Sequence, residues 1–204
     1  PENKLSEWTI YFSTIERLNG HHKRSNNFKE DPKLKNEGAT RSDYYKSGFD
    51  RGHLVPAADM KFSKIAMEEC FYFTNISPQL PRFNQGFWKK VEGLVRSWVL
   101  EKDSLVIITG SVLKDTINYS KEESYYTIGP KEVPVPAFYY KVIIDINEKS
   151  SLALLLPNAN IENKNWIDFV CPISTLENIT GIDFFYRLPD ELELDFEDRH
   201  SLDD

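Results

Sequence analysis

Apolar positions along this chain recur with two different periods, and the change from one to the other marks its elements. Trp8-Thr9-Ile10-Tyr11-Phe12 is rich in aromatic and β-branched residues and predicts an early strand. Residues 18–47 are polar and loop-like. A short extended segment is expected over His53–Ala57. Phe62, Ile65, Ala66 and Glu69 then fit a short helix with Ser63 near its start. Phe71–Thr74 predicts a strand, and Pro78 and Pro81 a loop. From about Gln85 to Lys102 the spacing of Trp88, Val91, Val95 and Trp98 predicts a longer helix.

The second half is richer in strands. Leu105–Gly110, Phe138–Ile144 and Leu152–Leu156 read as buried strands, with a turn at Glu148-Lys149-Ser150. Residues 114–134 are polar and proline-bearing and predict a surface excursion. Ser174-Thr175-Leu176-Glu177 starts a helix that Thr180-Gly181 stops. There is no internal repeat and no Gly/Ser hinge. One α+β domain over residues 1–204 is expected, with residues 1–7 and about 190–204 peripheral.

Charge alters this picture only when taken by region. The net charge of −7 disfavours a polyanion partner. Residues 1–100, however, hold 16 Lys+Arg against 12 Asp+Glu, while residues 101–204 hold 9 against 20. The acidic excess lies in the second half, and residues 190–204 read as a solvated acidic tail. Phosphate binding depends on the local field, so the first half stays open to it. No apolar run is long enough to span a membrane. The chain begins Pro1-Glu2-Asn3-Lys4, which suggests a matured product whose targeting signal is gone. Two cysteines, Cys70 and Cys171, are expected as buried reduced thiols rather than a disulfide.

Candidate chemistry centres on Asp50-Arg51-Gly52-His53. It puts a permanent cation two residues from an imidazole: the arginine suits a phosphate, the histidine a proton taken from water. Asn84 is either a helix N-cap or an oxygen donor to a hard cation that keeps most of its waters. Glu92 is either a surface partner of Lys89 or a group that hydrogen-bonds metal-bound water. Arg24 is a second phosphate clamp or ordinary surface charge. Asn75 follows the expected strand and stabilises a turn or helps to hold the His53–Asn84 pair.

Together these motifs resemble the DNA/RNA non-specific endonuclease family, the ββα-metal nucleases. The matching segments are Gly48–Leu54, Phe71–Gln79, and Asn84-Gln85-Gly86-Phe87-Trp88 with Glu92, supported by Thr109-Gly110 and Ile173–Phe185. The resemblance implies a mixed α/β/α sheet architecture carrying a ββα-metal finger. It implies His53 as general base, Asn84 as the direct ligand of Mg²⁺ (Mn²⁺ substituting), and Glu92 acting through water. Arg51 then lies near the phosphate, Asn75 supports the site, and Arg24 stands nearest to an upstream phosphate-binding arginine. Hydrolysis of DNA and RNA to 5′ phosphates follows, in a protein that pairs as a homodimer and works outside the cytoplasm. An inhibitor protein cannot be read from the sequence. A narrower exonuclease or phosphodiesterase, and a non-catalytic nucleic-acid binding module, are the alternatives.

Overall fold

The computed structural model describes residues 4–34, 37–113, 126–189, 191, 193 and 196. Its centre is a five-stranded antiparallel sheet. Strand β1 (Trp8–Thr14) leads into the single-turn helix α1 (Ile15–Leu18); Arg41–Tyr44 forms a second short helix, α2. Strands β2 (Asp50–His53) and β3 (Ile76–Gln79) make a separate two-stranded ribbon, with α3 (Lys64–Glu69) between them in sequence. A long helix follows, opening at Pro81 and continuing as α4 (Lys89–Lys102). Next come β4 (Ser104–Val112), the small hairpin β5 (Thr127–Ile128) and β6 (Val133–Pro134), then β7 (Phe138–Asp145), β8 (Ser150–Pro157), β9 (Val170–Cys171) and α5 (Ile173–Thr180). The central sheet has the order β1-β4-β7-β8-β9.

Both faces of this sheet are covered, which is why its inner strands are apolar almost throughout. On one face, Val91, Val95, Trp98 and Val99 of α4 pack on Leu105, Ile107, Ile143, Leu152 and Leu154. On the other, Ile173 and Leu176 of α5 pack with Ile108, Val142, Ile144 and Ala153. The expected α+β class and α/β/α layering hold. Alternation along β7 places Tyr139, Lys141 and Ile143 on the α4 face. Lys141 is therefore a lysine in the middle of a core strand, with no exposed surface.

Several expectations are corrected. Phe71–Thr74 is no strand: Phe73–Asn75 is a 3₁₀ turn, and the strand is Ile76–Gln79. Pro78 lies within that strand, tolerated because the ribbon has only two strands. The extended segment near His53 is Asp50–His53, and Ala57–Met60 turns as 3₁₀ helix. Residues 114–125 of the expected excursion lie outside the described residues, while Ile128 and Val133 are buried in a cluster with Tyr44 and Phe73. Ser63 does cap α3, accepting from Ala66 N at 3.3 Å, and Gly181 ends α5 at φ 70°. Cys70 is buried, Cys171 half-buried, and they are not bonded to each other. Phe196, within the stretch expected as an acidic tail, is buried against Phe185.

Ile143 is fully enclosed between α4 and the sheet. Ile143→Ala should cost about 2–5 kcal/mol in urea unfolding, and a loss below the lower bound would mean that this face is not the tight core described.

Candidate active site

The ribbon β2–β3 and the helix after it form a strand–strand–helix unit. Asp50 faces Gln79 in register, Gly52 faces Ser77, and His53 faces Ile76. Gly52 has a steric reason. A Cβ there would lie 2.1 Å from Gln79 Oε1, because the fully buried Gln79 side chain fills that space.

The helix has π geometry over Phe83–Trp88 before it becomes α4. Asn84 is therefore not an N-cap; its own N–H donates to Leu80 O at 2.9 Å inside the helix. On an ideal α-helix, Asn84 and Glu92 would be ~80° apart around the axis. The wider π turn brings them towards one face, and inserted turns of this kind are frequent at functional sites.

Asn84, Gln85, Lys89 and Glu92 line one side of a groove of about 460 Å³, with Arg24, Arg51 and His53 opposite. Five of the six site residues expected from sequence thus meet in one place. Asn75 does not line the groove. Its side chain bonds Val55 N (2.9 Å), Val55 O (3.0 Å) and Cys70 O (2.9 Å), which fixes the turn immediately after His53.

Aromatic rings hold the basic side. Phe71 meets the His53 ring edge-on, with centroids 4.8 Å apart. The Arg51 guanidinium sits 4.1 Å from the Phe28 ring centroid, and that of Arg24 lies 5.0 Å from Phe71. Arg24 arrives from distant sequence because the backbone of Lys29 bonds to Phe71 and Phe73 (3.2 and 3.0 Å). His53 is 7 % exposed, and its Nε2 is buried without a hydrogen-bond partner among the described residues. Burial, then Arg24 and Arg51, lower its pKa to about 3, so the imidazole is neutral and able to accept a proton.

The opposite side rests on groups that sequence reasoning missed. Asp50 Oδ2 accepts from both Asn84 Nδ2 and Gln85 Nε2 at 2.8 Å. This sets the Asn84 amide, leaving its Oδ1 without a donor among the described residues. Beneath Glu92, Lys141 Nζ donates to Thr109 Oγ1 at 2.8 Å and lies 4.6 Å from the Trp88 ring centroid, one turn before Glu92. Asp59, 2 % exposed, accepts from Tyr11 (2.8 Å) and pairs with Arg96 (3.0 Å). Lys89 makes no ion pair with Glu92 among the described residues. The available signals were a lysine inside an apolar strand and an aspartate opening the motif.

Burial raises the Glu92 pKa to about 7; Lys141 opposes that shift and Asp59 adds to it. Burial likewise lowers Lys141 to about 8, against the pull of Glu92 and Asp59. The donor set suits a hard, hydrated cation: one free amide oxygen and one nearby carboxylate, with no group of three His, Cys, Asp or Glu among the described residues.

A linkage effect follows. Unfolded, Glu92 titrates near the ordinary carboxylate value. Between that value and about 7 the folded protein holds the extra proton. In EDTA, Glu92 therefore contributes a loss of stability as pH rises through this window, opposite to the gain that the lowered pKa of His53 contributes below the ordinary imidazole value. Glu92→Gln should remove that loss, so that melting temperature rises more steeply with pH across this window than in the wild type; an unchanged slope would show that Glu92 does not titrate there.

The family model for DNA/RNA non-specific endonucleases matches residues 5–191. The mitochondrial nuclease of Saccharomyces cerevisiae is 34% identical over 89% of this chain and 60% of its own length. Human mitochondrial endonuclease G is 32% identical over 90% of this chain and 65% of its own. Nuclease C1 of Cunninghamella echinulata is 32% identical over 91% of this chain and 78% of its own. This chain thus spans less than two thirds of the yeast and human relatives. The solved complex of EndoG with EndoGI superposes with a TM-score of 0.85 at 26% identity, over 94% of this chain and 82% of that one. The expected extracytoplasmic location is overturned by the yeast and human relatives, which are mitochondrial nucleases. The chain belongs to the DNA/RNA non-specific endonuclease family, a metal-dependent class of nucleases acting on nucleic acids.

Proposed function

We propose that this chain is an endonuclease that hydrolyses phosphodiester bonds of DNA and RNA with little base preference, leaving 5′ phosphates. The observation that carries the reading is the groove itself, where a neutral buried imidazole and two arginines face an amide oxygen and a carboxylate. His53 is the general base. It takes a proton from water as the water oxygen bonds to phosphorus and the P–O3′ bond breaks. Arg51 and Arg24 hold the phosphate. A phosphate between them offsets the two charges that depress His53, so substrate binding raises the basicity of the group that must act on it.

Asn84 Oδ1 would hold a divalent cation directly and Glu92 through water, with Mg²⁺ the fitting ion and Mn²⁺ able to replace it. When bound, the cation offsets charge on the phosphate and the leaving oxygen. Glu92 orients the water that protonates that oxygen. Asp50 keeps the Asn84 amide from rotating. Residues 5–191 would act as one nuclease unit, in accord with the span of the family match.

A supercoiled plasmid gives the test, since only an endonuclease nicks a closed circle. Nicking should require Mg²⁺ and stop in EDTA. His53→Ala should slow it by about 10²–10⁴ with the fold retained, and full activity in that variant would refute the mechanism. Asn84→Ala should lower the rate and weaken the response to Mg²⁺ together; an unaltered Mg²⁺ titration would remove Asn84 from the site.

A further inference from the structure

The π segment Phe83–Trp88 and the first turns of α4 form a ridge with a cleft on either flank. Asn84, Gln85, Lys89 and Glu92 face the catalytic groove. The other flank, with the loop after β8, encloses a second cleft of about 370 Å³ lined by Phe87, Lys90, Val91, Leu94, Lys164 and Trp166. Lys89 and Lys90 are consecutive, yet they serve different clefts, because neighbouring helical residues point ~100° apart.

The second cleft has an apolar floor and a cationic rim. Phe87 is buried, and Trp166 is half-buried, packed edge-on against Trp98 at 5.1 Å. Lys90 and Lys164 are exposed and make no ion pair among the described residues. The acids nearby are already engaged. Glu162 pairs with Arg82 at 3.8 Å and accepts from Asn160 at 2.6 Å, while Asp168 accepts from Asn165 N at 3.0 Å. Two glycines on the ridge face open space. A Cβ at Gly86 would meet nothing within 4 Å, and one at Gly93 only the Arg96 side chain at 3.9 Å.

Resting on the nuclease reading above, we infer that this cleft is a distal subsite for the same polynucleotide. The strand leaving the scissile phosphate crosses the ridge beside Gly86 and Gly93 and seats a base against the exposed part of Trp166, with its phosphates on Lys90 and Lys164. Two observations select this occupant. The cleft shares a helix wall with the catalytic groove, so a strand held in one reaches the other. Its chemistry, aromatic floor and basic rim, matches that of single-strand binding grooves. The subsite recognises strand length and backbone charge, with no base identity read.

The double variant Lys90→Gln/Lys164→Gln tests this in the full chain. Both lysines are exposed, so its melting temperature should match that of the wild type. On a long single-stranded oligonucleotide, KM should rise about tenfold, and the slope of log affinity against log salt should become shallower by about 1.4 for two lost phosphate contacts. Hydrolysis of bis(p-nitrophenyl) phosphate, too short to reach the cleft, should be unchanged. An unchanged KM and salt slope on the oligonucleotide overturns the subsite and leaves the nuclease reading intact. A wild-type protein that cleaves neither substrate overturns that reading and the subsite with it. In a His53→Ala background, oligonucleotide should quench tryptophan fluorescence through Trp166, and Trp166→Phe should remove that part. Quenching by anionic vesicles and not by oligonucleotide would assign the cleft to a membrane surface and overturn the inference.

Discussion

The hydrogen bonds onto Asp50 are the constraint on which the site depends. One carboxylate oxygen, at the start of β2, takes both the Asn84 and Gln85 amides. β3 runs into the helix through the single residue Leu80, and these bonds tie β2 to it as well. This clamp sets the distance between the strand that carries Arg51 and His53 and the helix that carries Asn84 and Glu92. A carboxylate suits the task because it accepts several bonds without donating any. Both amides are thereby turned with their nitrogens inward.

The two walls of the groove are stabilised by different physics. On the histidine side, rings do the positioning. Phe28 and Phe71 support His53 and both arginines, and keep like charges beside an imidazole that stays uncharged. On the helix side, buried charges compensate one another. Lys141 and Asp59 are buried beneath the wall, and Arg96 and Glu92 meet them from its half-buried, groove-lining side. Buried ions of this kind seldom add stability relative to an apolar core. Their presence under a groove wall is better explained by the field they impose on Glu92.

Much of this was legible in the sequence, for local reasons. The sheet strands stood out because their apolar runs are buried on both faces, and the α4 stripe because Trp88, Val91, Val95 and Trp98 keep helical spacing. Asp-Arg-Gly-His and Asn-Gln-Gly-Phe-Trp carried the site because their chemistry is compact. What stayed hidden depends on long-range pairing. Phe71–Thr74 has strand composition, yet Asn75 and Lys29 supply its hydrogen bonds, so it turns. The π turn at Asn84 leaves no composition signal. Lys141 shows in the sequence only as a lysine within an apolar strand; it is the pleat of β7 that aims it at the helix.

Lys141 has a consequence for how the groove can move. Its backbone is hydrogen-bonded at the centre of the sheet, paired with Thr109 on one side and Leu154 on the other. Its charge, however, is compensated by side chains on α4 and near α1. Lifting the helix to widen the groove would strand an ammonium against a dry sheet, so small openings are opposed electrostatically as well as by lost packing. The floor is thus a rigid anvil, and any adjustment to nucleic acids of different shape has to come from the arginine side and its loop.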